Sequence, residues 1–290
     1  MKSINEIIDI LNGVRNLPTL PVVMNKLSTA VRDPNSNASS IARLIEDDPA
    51  ITARILKVVN SSLYAGGVEI QSVQQAVARL GLTATNNIAL STSIFSAFGN
   101  QQGGNFNRDE FWRHSISVGI AACVVNKHAK PNLKKRHTNE SLRLVGLLHD
   151  IGKLIMDQFM TDEFYAALDL ARSRPMPLFS AEIEATGIDH AALGGWLCGK
   201  WNMTEDLMLP ILWHHDPDSA PPEYWEVSAL CHMANYICNR EQIGNGGDLA
   251  DPACVQTVWK RLGLSVSDIS LIVDEVHEES TKSDILMSLI

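Results

Sequence analysis

The run Leu144–Met156, LVGLLHDIGKLIM, sets His149 and Asp150 side by side in an otherwise apolar stretch. A buried charge is costly unless it is paired or bound to a metal, so this doublet needs a partner. The chain has nine histidines, and six of them stand in apolar, helix-like surroundings: His114, His149, His190, His214, His215 and His232. His128 and His137 fall in a polar loop, and His277 in an acidic segment. Any one of the six alone reads as an ordinary core histidine; together they read as donors to a common centre. Adjacent helical residues point about 100° apart, so the doublets His149-Asp150 and His214-His215 can share an ion only if it sits above both. Glu110 and His114 are spaced i, i+4 on one helix face. Mixed imidazole and carboxylate donors suit iron, manganese or zinc better than a calcium cage. Lys153, one turn past the doublet, is placed to hold a phosphate.

The elements that must carry these residues read as helices. In SSIARLI, Ile41, Leu44 and Ile45 share a face behind Ser39 or Ser40 as cap. PAITARILKVVN opens on Pro49, tolerated in a first turn, with Ile51, Ile55, Val58 and Val59 as its stripe. SVQQAVARLG carries a capping-box pattern, Ser72 with Gln75, and stops at Gly81. No convincing strand alternation occurs, so the expected fold is all-α. The Gly- and Asn-rich run Phe98–Asn107 is the best boundary. It separates an N-terminal helical module, residues 1–98, from a second module over 108–240 and a helical extension over 241–290. The basic cluster Lys134-Lys135-Arg136 reads as a solvated loop, Tyr64 with Gly66-Gly67 as a turn, and SDILMSLI as a docked helix end. Trp196, Trp201 and Trp213 read as pocket wall and core, and Gly194-Gly195 with Gly199 as a site of close helix packing.

With a net charge of −9 the chain is ill suited to coat nucleic acid. Five scattered cysteines with no CxxC pair read as reduced thiols of a cytoplasmic protein. No apolar run approaches the ~20 residues of a membrane span.

HDIGKL, preceded by FWRHS and followed by DHAALGGWLCGKW and LPILWHHDP, resembles the HD superfamily of metal-dependent phosphohydrolases from Phe111 to about Ile237. The resemblance implies that a first His, the HD pair and a later Asp hold a metal, with further histidines holding a second iron in the HD-GYP branch. His114, His149, Asp150, His190, His214 and His215 match those positions. Glu110 matches the extra ligand of the branch that binds a third metal. Two departures stand out. Asn235 occupies the place of the final Asp, and no GYP signature follows His215, which speaks against cyclic-di-GMP phosphodiesterase activity.

LPTLPVVMNKL, LIEDDPAITARILKVVNSSLYAGG and VQQAVARLGL, in that order and spacing, resemble the HDOD domain, the HD-related output domain of bacterial signalling proteins, over about Leu17 to Asn235. This implies an all-α regulator in which an N-terminal helical bundle packs on a degenerate HD-like fold. The expectation is a signal-transduction protein acting mainly through contacts with signalling proteins supplied in trans. Its cofactor would be one or two divalent ions, iron or manganese first, held by the six matched residues with Glu110 and Asn235 as further candidates. The alternative is a phosphohydrolase acting on a nucleotide or phosphoester, with Lys153 contacting the phosphate.

Overall fold

A computed structural model describes residues 4–13, 17–33, 35–61, 64, 68–98, 106–130, 137–250, 253–281 and 287. Most of the Phe98–Asn107 boundary, Gly66-Gly67, Lys134-Lys135-Arg136 and the C-terminal SDILMSLI except Met287 lie outside the described residues. Every regular element among the described residues is helical. Two compact units emerge, one within Pro18–Gln102 and Glu278–Ile290, the other within Met1–Leu17 and Gly103–His277. Compactness thus groups the first helix, α1 (Ile4–Asn12), and residues 241–277 with the larger unit, whereas loop composition alone suggested breaks near 98 and 240.

The smaller unit holds α2 (Val22–Arg32), α3 (Ala38–Glu46), α4 (Pro49–Val59), α5 (Val73–Leu80) and α6 (Leu82–Phe98). Ile41, Ile45, Ile51, Ile55, Val58, Val59, Val73 and Val77 are all buried, as their helical spacing requires. The cap of α3 is Asn37 rather than Ser39 or Ser40. Its side chain accepts from Ser40 N–H, and Ser40 Oγ accepts from Asn37 N–H in return. Ser39 and Ser40 already lie inside the helix, where the extended backbone of a cap is lost. Ser72 caps α5 through Gln75 N–H, and Gln75 Oε1 accepts from Gln71 N–H. Gly81 ends the helix at φ +86°, a conformation that favours glycine. Asn60 clasps the return of the chain: Ile70 N–H donates to its Oδ1, and its Nδ2 donates to Ile70 O, both at 2.8 Å.

The larger unit is built on α7 (Arg108–His128), which crosses α8 (Asn139–Leu148) where two glycines meet. A Cβ on Gly146 would lie 2.3 Å from Gly119 Cα, so only glycine permits this approach. Next come α9 (Ile151–Phe159), α10 (Thr161–Ser173), α11 (Leu178–Thr186), α12 (His190–Lys200) and α13 (Glu205–Leu212). Gly194 admits Ile151 and Ile211 against α12, the close packing expected of that glycine set. A hydrophobic cluster joins α7 and α8 to α14 (Trp225–Arg240), α15 (Gln256–Leu262) and α16 (Val266–Thr281). No helix among the described residues is long and apolar enough to cross a membrane.

Candidate metal centre

Six elements of the larger unit converge on one buried point. α7 contributes His114. The junction of α8 and α9 contributes His149 and Asp150, and α9 adds Lys153. α12 begins at His190, His214 and His215 follow α13, and α14 supplies Asn235. Asp150 is the N-cap residue of α9 but makes no capping bond; its carboxylate turns toward the imidazoles instead. Gly152 makes that possible, because a Cβ there would lie 2.0 Å from His190 O. α9 and α12 therefore touch backbone to backbone, and His190 Nε2 stands 3.0 Å from Asp150 Oδ1.

The donors form two groups, His114-His149-Asp150 and His190-His214-His215, each with its donor atoms within 4.8 Å of one another. Asp150 lies between them. Its Oδ2 is 3.4 Å from His149 Nε2 and 3.9 Å from His114 Nε2, and its Oδ1 is 3.7 Å from His214 Nε2.

Hydrogen bonds assign the ring protons. His149 Nδ1–H donates to Gly146 O and His214 Nδ1–H donates to Ile211 O, each at 2.7 Å. A carbonyl only accepts, so each ring carries its proton on Nδ1 and turns the Nε2 lone pair inward. Both Nε2 atoms are buried without a hydrogen-bond partner. This is how histidines that ligate metals are commonly oriented. His232 is the contrast: its Nδ1–H donates to His214 O, and its Nε2 accepts from Val255 N–H. It is a satisfied structural residue.

Glu182 and Asp248 complete the centre, and sequence reasoning missed both. Glu182, fully buried on α11, accepts from His190 Nδ1–H at 2.6 Å and from His190 N–H at 2.9 Å. Asp248 accepts from Leu178 N–H through Oδ1 and from Lys153 Nζ through Oδ2, at 3.0 and 3.1 Å. Lys153 also donates to Asp150 Oδ2 at 2.7 Å and is wholly buried. Its ammonium is spent on two carboxylates rather than offered to a ligand.

Burial drives His114 down to about 4, with His149 adding to the shift, and holds His214 and His215 well below their ordinary value. These rings are neutral and can ligate. Burial opposes the charged form of His190 too, but Glu182 and Asp150 outweigh it and raise the ring to about 10. Burial likewise works against ionised Asp150, and His149, Lys153 and His190 overcome it, so the group stays a carboxylate. The donor set fits a divalent cation: neutral imidazoles at His114, His214 and His215, one ionised carboxylate, and the unmatched Nε2 atoms of His149 and His214, with His190 able to join on releasing a proton.

Asn235 and Glu110 stand apart. Asn235 Oδ1 lies 3.0 Å from His114 Nε2 and accepts from Asn239 Nδ2–H at 2.9 Å, so its amide oxygen is engaged within the protein. Glu110 keeps a side chain 42% exposed and 3.8 Å from Arg113 Nε, and its backbone carbonyl accepts from Asn245 N–H of the loop beyond α14. That loop seals the first donor group: a Cβ on Gly246 would sit 2.9 Å from Asp150 Oδ2 and 3.1 Å from His114 Cδ2.

The model of the HDOD domain matches residues 17–217. An uncharacterized protein of Treponema pallidum (strain Nichols) is 24% identical over 226 residues, 78% of this chain and 43% of that protein. The chain therefore spans less than half the length of that curated relative. An HDOD domain protein of unknown function from Geobacter sulfurreducens superposes with a TM-score of 0.75 at 26% identity, covering 97% of this chain and 95% of that one. A Shewanella amazonensis SB2B protein provisionally named a metal-dependent phosphohydrolase gives 0.63 at 25% identity, with 96% of both chains covered. A Marinobacter aquaeolei VT8 protein provisionally named a signal transduction protein gives 0.77 at 20% identity, covering all of this chain and 61% of that one, a likeness of fold.

Proposed function

The chain belongs to the HDOD family, and on that premise we propose that it is a regulatory protein of bacterial signal transduction. It acts through contacts with signalling proteins supplied in trans and holds one or two divalent ions, iron or manganese, in its HD-type centre. The observation that carries the metal reading is the pair of buried Nε2 atoms of His149 and His214, each fixed inward by an Nδ1–H bond to backbone. Such groups are costly unless something satisfies them. His114, His149 and Asp150 would hold one ion, and His190, His214 and His215 a neighbouring one. A bound ion supplies Lewis acidity toward water or a phosphoryl oxygen. The five free cysteines support a reducing, cytoplasmic setting.

The regulatory role ranks above an enzymatic one because the first donor group is closed. His114, His149, Asp150 and Lys153 are at most 1% exposed, Gly246 lies over them, and an engaged amide stands where hydrolases of the superfamily have a ligating carboxylate. The iron- or manganese-loaded chain is expected to leave cyclic-di-GMP and p-nitrophenyl phosphate essentially intact in a chromatographic assay. Turnover in the ordinary enzyme range, about 1 per second or faster, would overturn this ranking. One observation favours the second reading, a phosphohydrolase of a nucleotide or phosphoester: the other donor group borders an open cavity through His215.

A further inference from the structure

His114, His149 and Asp150 are each at most 1% exposed, so an ion can reach this donor group only if a wall moves. The helical walls are held firmly. α7 meets α8 backbone to backbone at Gly119 and Gly146, and α9 meets α12 at Gly152 and His190. α14 shares one hydrophobic cluster with α7 and α8. The other wall is the loop between α14 and α15, described over residues 241–250.

This loop is built as a movable cover. Its inner side is backbone: Gly246 is buried beside Asp150, and a Cβ at Gly244 would lie 2.3 Å from His114 N. Gln242, Gly244 and Gly247 all have positive φ, at +54°, +67° and +94°. Gln242, Asn245 and Leu249 are exposed. The loop also borders a cavity of about 520 Å3, with Glu110, Asn239 and Arg240 as the remaining walls, which gives it room to swing. Segments with few buried apolar contacts open locally at low free-energy cost.

One side chain pins the loop. Asp248 accepts from Leu178 N–H at 3.0 Å and from Lys153 Nζ at 3.1 Å, and the backbone adds Asn245 N–H to Glu110 O. Lys153 ties this latch to the centre, because the same ammonium donates to Asp150 Oδ2 at 2.7 Å. A divalent ion at Asp150 would repel that ammonium, and Asp248 is the second carboxylate already placed to hold it. Ion binding and a closed loop therefore favour each other.

We propose that loop 241–250 is a gate over the His114-His149-Asp150 position, latched by Asp248. A divalent ion enters and leaves when Asp248 releases Leu178 N–H and Lys153 and the loop swings out. The inference rests on the metal reading above. The test times manganese uptake by the metal-free full chain and manganese release from the loaded chain to excess EDTA, each read on its slowest phase. Asp248→Asn keeps the shape and removes the charge. Gly247→Ala strains the closed loop at φ +94° without meeting a donor, since its Cβ would face the side chains of Leu178, Phe106 and Leu168. Both variants should speed uptake and release together, by about 10-fold in Asp248→Asn for a lost charge-assisted hydrogen bond. In the metal-free variants the Asn245 and Gly247 amides should exchange with deuterium faster than in the parent, with the amides of α7 unchanged. An Asp248 that acted by charge alone would give faster release but slower uptake, because a charge that attracts the ion is gone. That result, or parental rates in both variants, would overturn the gate and leave the metal reading standing. A chain that takes up no manganese overturns it together with the metal reading.

Discussion

Glu182 holds His190 by two hydrogen bonds at once, from the ring Nδ1–H at 2.6 Å and from the backbone N–H at 2.9 Å. One carboxylate therefore fixes both the start of α12 and the orientation of the ring it presents. With Nδ1–H held by Glu182, Nε2 is turned toward Asp150 Oδ1, 3.0 Å away, and His215 Nε2, 2.8 Å away. Glu182→Gln keeps the shape and removes the charge. Loss of an orienting partner of this kind typically costs 10–100-fold in metal affinity. Competition against a chelator should show a loss of about that size for an ion at His190, with His149 and Asp150 untouched. Unchanged affinity would mean that Glu182 serves only the fold.

Gly152→Ala probes the backbone contact that sets the centre. The new Cβ would lie 2.0 Å from His190 O, and backbone cannot swing aside as a side chain does. A cost of about 3 kcal/mol or more is expected, read as a lower denaturant midpoint. A midpoint within experimental error of the parent would show that α9 and α12 separate readily.

The metal-free protein should be most stable near neutrality. His114 is lowered to about 4 and His214 also lowered, so on acidification below 6.5 the unfolded chain takes up protons that the fold refuses, and stability falls. His190 is raised from 6.5 to about 10, so its contribution is complete below 6.5 and fades as pH rises through 10. Asp150 and Asp248 are lowered from 3.8, so their contribution is present above that value and lost below it. The melting temperature in chelator should fall on both sides of about pH 6.5. Glu182→Gln should flatten the alkaline side. A melting temperature that climbs steadily to pH 10 would contradict these assignments.

Asn235→Asp tests the departure at α14. A carboxylate there adds charge beside His114 and restores a strong oxygen donor. Manganese affinity should rise, measured calorimetrically. No change would mean that this position does not face the ion, despite Asn235 Oδ1 standing 3.0 Å from His114 Nε2.

The residues that the structure gathers into the two groups were legible because residue type marks them as candidates. His149-Asp150 and His214-His215 are adjacent in sequence and announce themselves in apolar runs. His190 follows an acidic cap, Asp189, which accepts from Ala192 N–H and marks the helix start. Their support was not legible. Glu182 shares its helix with the exposed Glu184, and only the packing of α11 on α12 tells which carboxylate is buried. Asp248 and Gly246 come from a Gly- and Asn-rich run that reads as an ordinary loop, almost 100 residues after Lys153. Sequence alone suggests a phosphate contact at Lys153, because a buried lysine between two carboxylates has no local signature. Glu110 shows the limit of spacing arguments. Its i, i+4 relation to His114 is real, yet it lies in the first turn of α7 and its side chain is turned toward Arg113.

A divalent ion held at His149 and Asp150 is tested by elemental analysis of wild-type and Asp150→Ala protein, both purified without added metal. Iron or manganese is expected in the wild type and none at that position in the variant. Ion binding to the native state stabilises it by linkage, so chelator should lower the melting temperature of the wild type and leave that of the variant unmoved. Asp150→Ala protein that retains the full wild-type metal content would show that Asp150 is not a ligand.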